Sequence, residues 1–271
     1  MVPGPADRSR VRTSLDQGPG PVLSAISVVG SVGVRQAGRE EVSHARPAAA
    51  AARPKLRGVL HEIGFFVSLV AGPLLVLSAR DPRAQEHCAV YAASLTLMLG
   101  TSALLHRRTW STRGLRIMRK LDMAMIFVLI AGTYTAVVGL MLRSEVAGVV
   151  LWVVWIAAAI GSGSAFVLAG RGLRSQGERR PSKWVVLIPY FAIGWLAVIL
   201  IAALLHSLGW EGVAMLVSGG VVYTIGALVY AARSPDPWPQ TFGYHEIFHA
   251  MVLIGAACHF ALVALVVLPR S

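Results

Sequence analysis

Stretches of about 20 uncharged or nearly uncharged residues recur along the chain, each long enough at 1.5 Å per residue to cross roughly 30 Å of hydrocarbon. Seven such runs can be read, at residues 59–79, 87–105, 122–142, 146–169, 184–205, 212–232 and 245–268. They are apolar all round rather than at every second position, which predicts membrane-crossing helices and not the strands of a barrel. With 55% hydrophobic and 14% charged residues among 271, no single water-soluble core can bury this much apolar surface. The expected fold is therefore all-α, a polytopic seven-transmembrane-helix bundle over residues 58–271.

Lys and Arg set the expected orientation. The segment after the second run carries Arg107, Arg108, Arg113, Arg116, Arg119 and Lys120, and the one after the fourth carries Arg171, Arg174, Arg179, Arg180 and Lys183. Both should be cytoplasmic. The alternate connections hold only Arg80, Arg83 and Arg143, with no positive charge between His206 and Gly212. An odd helix count then places the N-terminus in the cytoplasm and the C-terminus outside, in a multi-pass protein of the cell membrane. This topology, with the basic N-terminal segment, accounts for the net charge of +12, so no nucleic-acid partner is needed to explain it.

Residues 1–57 are rich in Pro, Gly, Ala and Arg, lack any helical period, and are expected to form a disordered basic cytoplasmic tail. Asp7, Asp16 and several prolines interrupt where a signal peptide would need its apolar core. Cys88 and Cys258 fall inside helical runs and read as small packing residues without a disulfide.

Polar groups inside the runs carry the functional information, because an ionisable side chain in hydrocarbon is costly without a partner or a task. On the expected topology His106 closes the second helix, and His245 and His249 open the seventh, all at the cytoplasmic side. Residues four apart on a helix differ by about 40° in direction and about 6 Å in height, so His245 and His249 can serve one metal ion. His259 points almost the same way as His245 but lies roughly 21 Å further along, too far for the same ion. Three imidazoles plus water make an open tetrahedral zinc site, in which the water titrates near neutral pH. Ser102 sits one turn deeper than His106, and Asp122 begins the third run at a similar depth, so both are candidate catalytic groups beside the zinc.

Plainer readings stand beside these. His61, His87, His206 and His259 read as ordinary boundary residues, Asp122 as a helix cap, and Ser102 as a group bonded back to its own helix. Glu62 and Glu246 near helix starts favour the dipole, and Trp110, Trp184, Trp210 and Trp238 read as interfacial anchors. His245-Glu246-Ile247-Phe248-His249 also matches the H-E-x-x-H string of metalloproteases. The longer form fails, since Val252 and Gly255 stand where it needs glycine and histidine.

Taken in order, Ser102-Ala103-Leu104-Leu105-His106, Leu121-Asp122, Ala131-Gly132-Thr133-Tyr134-Thr135 and His245-Glu246-Ile247-Phe248-His249 with Cys258-His259-Phe260 resemble the hemolysin III family. That family belongs with the progestin and adipoQ receptors, and the resemblance covers roughly residues 58–268. It implies seven helices, an inside N-terminus, and zinc held by the histidines matching His106, His245 and His249, with Ser102 and Asp122 at the family's other polar positions. Met123 stands where relatives often have histidine, Ala136 where a proline is usual, and Glu62 where a glycine follows the first-helix histidine that His61 resembles. Two function classes follow: a zinc-dependent hydrolase of a membrane-lipid amide or ester, ceramidase-like in chemistry, or a receptor, stress sensor or cytolytic pore-former with structural zinc. An intramembrane metalloprotease and a solute carrier are weaker options, the second because no polar residues mark a path across the midplane.

Overall fold

The computed structural model describes residues 54–171 and 183–271, and among these it is helical apart from connections and one isolated antiparallel bridge between Trp238 and Phe242. Residues 1–53, and with them nearly all of the expected tail, lie outside the described residues, as do Arg174, Arg179 and Arg180. The described chain contains α1 (Val59–Ser78), α2 (Pro82–Arg107), α3 (Thr112–Met141), α4 (Ser144–Arg171), α5 (Lys183–Gly194), α6 (Ile201–Ala232), α7 (Tyr244–Leu262) and α8 (Leu268–Arg270). A 3₁₀ segment, Trp195–Leu200, joins α5 to α6, and a π-helical turn, Val263–Val267, joins α7 to α8.

Helix boundaries follow local chemistry. Asp81 accepts from the N–H of Ala84 and Pro82 occupies the first turn, so α2 starts five residues before its apolar run. Ser111 accepts from the N–H of Gly114 and starts α3 at Thr112, which puts Asp122 in the helix interior. The expectation that Asp122 begins this helix, and its alternative role as a cap, are thereby corrected: the arginine-rich stretch ahead of it is helical as well. With alanine at position 136, α3 runs unbroken through the site of the missing proline.

Among the described residues, six helical segments are long and apolar enough to cross a membrane. One of them, Leu187–Ala232, runs for 46 residues. That is roughly 69 Å if straight, more than twice the hydrocarbon thickness. Its helical geometry breaks at Gly209 (φ 69°, ψ 178°), backbone that is essentially open to glycine alone. This multi-pass membrane protein packs α1 against α2 and α7, α2 against α3, α3 against α4, and α6 against α7.

α2 and α3 are the most buried spans, whereas α1 and α4 turn Phe66, Val70, Leu77, Val149, Trp152 and Ile160 outward, as helices facing lipid do. The core gathers Tyr91, Leu95, Leu99, Leu129, Leu204, Leu208, Leu262 and Val263. Several polar tips inside the bundle find partners, although the Tyr91 hydroxyl has none among the described residues. Tyr134 donates to the Ile193 carbonyl where α5 gives way to the 3₁₀ segment, Tyr190 to the Met123 carbonyl, Trp155 to Thr135 and Trp195 to Thr224, all at 3.0–3.1 Å. Replacing Gly209 with alanine should lower stability by about 1–3 kcal/mol, because the new Cβ forbids that backbone conformation. Chemical unfolding of the purified protein in detergent would measure it.

Candidate metal centre

Two helices supply the centre. The last turn of α2 carries His106, and the first turns of α7 carry His245 and His249. α7 begins where it does because two carboxylates satisfy its first amides: Asp236 accepts from the Tyr244 N–H and Glu246 from the Gly243 N–H, each at 2.9 Å. The Nε2 atoms of His106 and His245 lie 3.3 Å apart. The ligand atoms of His106, His245 and His249 all fall within 4.8 Å of one another, so the three could hold one metal ion. The His106–His245 separation suits the chemistry, since imidazole nitrogens bound at about 2.0–2.1 Å to a tetrahedral ion sit roughly 3.3 Å apart.

The other expected site residues gather nearby. Ser102 is buried one turn below His106, and its side chain neighbours the Asp122 carboxylate on α3. Both line a cavity of about 270 Å³ that also reaches His245 and His249. The cavity is walled by apolar side chains such as Ile126, Leu129, Leu187 and Val252, and it extends to His259. That is about 15 Å further along α7 than His249. His259 lies outside the cluster, as its depth predicts, and its Nε2 approaches the Leu216 carbonyl at 3.1 Å.

Two readings change. His61, expected to be an ordinary boundary residue, is buried and stacked on His249, with ring centroids 3.9 Å apart and planes 6° from parallel. Its position in the first helix turn gave its depth, but only packing brings α1 against α7. Glu246, read as a residue favouring the dipole, does cap α7 and is also ion-paired through its other oxygen to Arg57 at 2.5 Å. With both oxygens engaged, the H-E-x-x-H match lacks its general base, which removes the main support for the metalloprotease reading. Tyr230, unremarked in the sequence, packs its ring 5.5 Å from His245 and 5.1 Å from Phe248. A residue at the far end of the preceding helix gives no sequence signal for that contact. Trp110, Trp210 and Trp238 are exposed, and the Trp184 side chain lies outside the described residues.

A multi-pass helical bundle with histidines from its second and last long helices meeting at one end defines a narrow class of membrane protein. Over residues 50–260 the chain matches the family described as Haemolysin-III related, and it belongs to that family. It is 28% identical to Hemolysin-3 of Bacillus cereus over 216 residues, covering 79% of this chain and 91% of that one. Similarity to the Hemolysin-3 homolog of Bacillus subtilis (strain 168) is also 28%, over 207 residues, 74% of this chain and 88% of the relative. A shorter match of 61 residues at 39% identity, 21% of this chain and 14% of the relative, links it to Heptahelical transmembrane protein 4 of Arabidopsis thaliana.

The two ion pairs near the centre should differ in weight. Arg57→Ala strands the Glu246 carboxylate, which is 1% exposed, and is expected to cost about 3 kcal/mol. Arg107→Ala breaks a pair with Glu62 whose side chains are 43% and 38% exposed, and should cost less than about 1 kcal/mol. Unfolding free energies of the two variants in one detergent make the comparison.

Proposed function

We propose that this protein is a zinc-dependent hydrolase that cleaves an amide or ester bond in a membrane lipid. The observation that carries the reading is the opening of one apolar cavity onto two imidazoles of the cluster and onto the neighbouring Ser102 and Asp122 side chains. Zinc held by His106, His245 and His249 would supply a hydroxide nucleophile near neutral pH. Asp122, beside the Ser102 hydroxyl, takes up the proton that water gives up as it becomes this nucleophile and adds to the carbonyl carbon. It returns that proton to the departing amine nitrogen or alcohol oxygen as the C–N or C–O bond breaks. The cavity holds the acyl chain, with the scissile carbonyl at the histidine end, so the substrate enters from the bilayer and need never be wholly extracted.

We further propose seven crossings, with α5 and the part of α6 before Gly209 forming one and the remainder of α6 the next, an N-terminus in the cytoplasm, a C-terminus outside, and residence in the cell membrane. The name of the Arabidopsis relative states seven helices for that protein, and the basic α2–α3 connection supports the orientation. In a variant lacking Cys88 and Cys258, a cysteine at Glu211 should react with a membrane-impermeant maleimide on intact cells, and one at Arg113 only after the membrane is broken. Reaction of the Arg113 cysteine but not the Glu211 cysteine on intact cells would reverse the scheme.

Zinc and turnover test the chemistry. Purified protein should contain about one zinc per chain, His249→Ala should lose it, and fatty acid should be released from ceramide or phospholipid only by the zinc-loaded wild type. Asp122→Asn should retain zinc while kcat falls by about 10²–10⁴-fold. Zinc retained without turnover on a broad lipid panel would instead support a receptor, stress sensor or cytolytic protein of the kind the Bacillus relatives are named for, with the metal as a structural tie between α2 and α7.

A further inference from the structure

The entry to α1 grips both ligand-bearing helices at almost every residue. The Lys55 and Leu56 N–H groups donate to the Gln240 and Thr241 carbonyls just ahead of α7, at 3.0 and 3.2 Å. Arg57 binds Glu246 on α7, beside His245. Gly58 turns through φ +80° so close to α2 that a Cβ there would lie 2.5 Å from the Cβ of His106. His61 stacks on His249, and Glu62 accepts from Arg107, beside His106, at 2.7 Å. Every ligand histidine is therefore touched by this segment, directly or through its sequence neighbour.

His61 lies at the middle of this grip, 2% exposed. Its ring plane is 6° from that of His249 with centroids 3.9 Å apart. With the two rings nearly parallel, the in-plane nitrogens of His61 do not converge with those of His249, and the ligand atoms that do gather belong to His106, His245 and His249. His61 is therefore not among the candidate ligands. Neither of its ring nitrogens has a hydrogen-bond partner among the described residues, and the His249 backbone approaches without completing one. What His61 presents to the centre is the face of its ring. The second side-chain torsion of histidine is broad and only loosely two-fold, so a ligand histidine needs an outside constraint to hold its lone pair on the metal.

We infer that His61 is a positioning residue of the centre: by stacking on His249 it fixes the plane of that ring and so aims its ligand nitrogen. The inference rests on the reading that the three histidines hold zinc. Its test uses the full chain in detergent, with zinc affinity measured by chelator competition and the visible spectrum recorded after loading with cobalt(II). His61→Ala should bind zinc about 10- to 100-fold more weakly than wild type and shift the cobalt bands, the range typical of lost support around a ligand. His61→Phe keeps a flat ring without nitrogens, and should stay within about threefold of wild type with unshifted bands. His61→Gln, which keeps hydrogen-bonding atoms without an aromatic face, should follow alanine.

Wild-type affinity in the alanine variant would overturn the inference, as would rescue by glutamine but not by phenylalanine. Equal losses in alanine and phenylalanine would do the same. Failure of wild type itself to take up zinc would refute the metal reading, which separates that failure from failure of the stack.

Discussion

Two imidazole nitrogens 3.3 Å apart, on residues separated by 139 positions in the chain, require α2 and α7 to meet at one depth with particular faces opposed. That is a demanding arrangement in a bilayer, where apolar helix surfaces gain little by choosing one another over lipid. The helices must be registered by something more directional than hydrophobic contact. In this protein the registration comes largely from the start of α1, whose residues bond to the turn before α7, pair with Glu246, abut His106 and stack on His249. The cluster is thus a three-helix construction, although only two helices carry its candidate ligands.

The same need to place polar groups deliberately explains the rest of the interior. Tyr134, Tyr190, Trp155 and Trp195 put apolar bodies into the bundle and their single donors onto neighbouring carbonyl or hydroxyl oxygens. The two tyrosine bonds tie α3 to α5, Trp155 ties α4 to α3, and Trp195 ties the 3₁₀ segment to α6. The cavity is walled by Ile126, Leu129, Leu187 and Val252, with Asp122, His245 and His249 toward one end and His259 further along α7.

Glu246 illustrates how a short motif changes meaning with context. In a zinc protease the carboxylate between the two histidines is free to take a proton. Here one oxygen holds the Gly243 amide and the other holds Arg57, so the same five letters describe a helix start tied to the chain's entry into the membrane. The carboxylate that lines the cavity among the described residues is Asp122, from a different helix and beside Ser102.

The sequence by itself determined the helical class, the membrane as solvent and the depth of each polar residue, because rise along a helix is a constant 1.5 Å per residue and about 20 apolar residues are needed to cross. Depth was enough to group His106 with His245 and His249 and to set His259 apart. It was not enough to place His61, which lies near the same level, because which helix neighbours which is decided by packing between segments remote in sequence. The start of α3 was also hidden, since a Ser111 cap makes the polar arginine-rich turns helical and apolar content cannot report that. Only the tertiary structure decided that α1 lies against α7, that His61 covers the His249 ring, and that Glu246 is spoken for. Those are facts of direction and neighbourhood, and an apolar helix surface carries almost no sequence record of either.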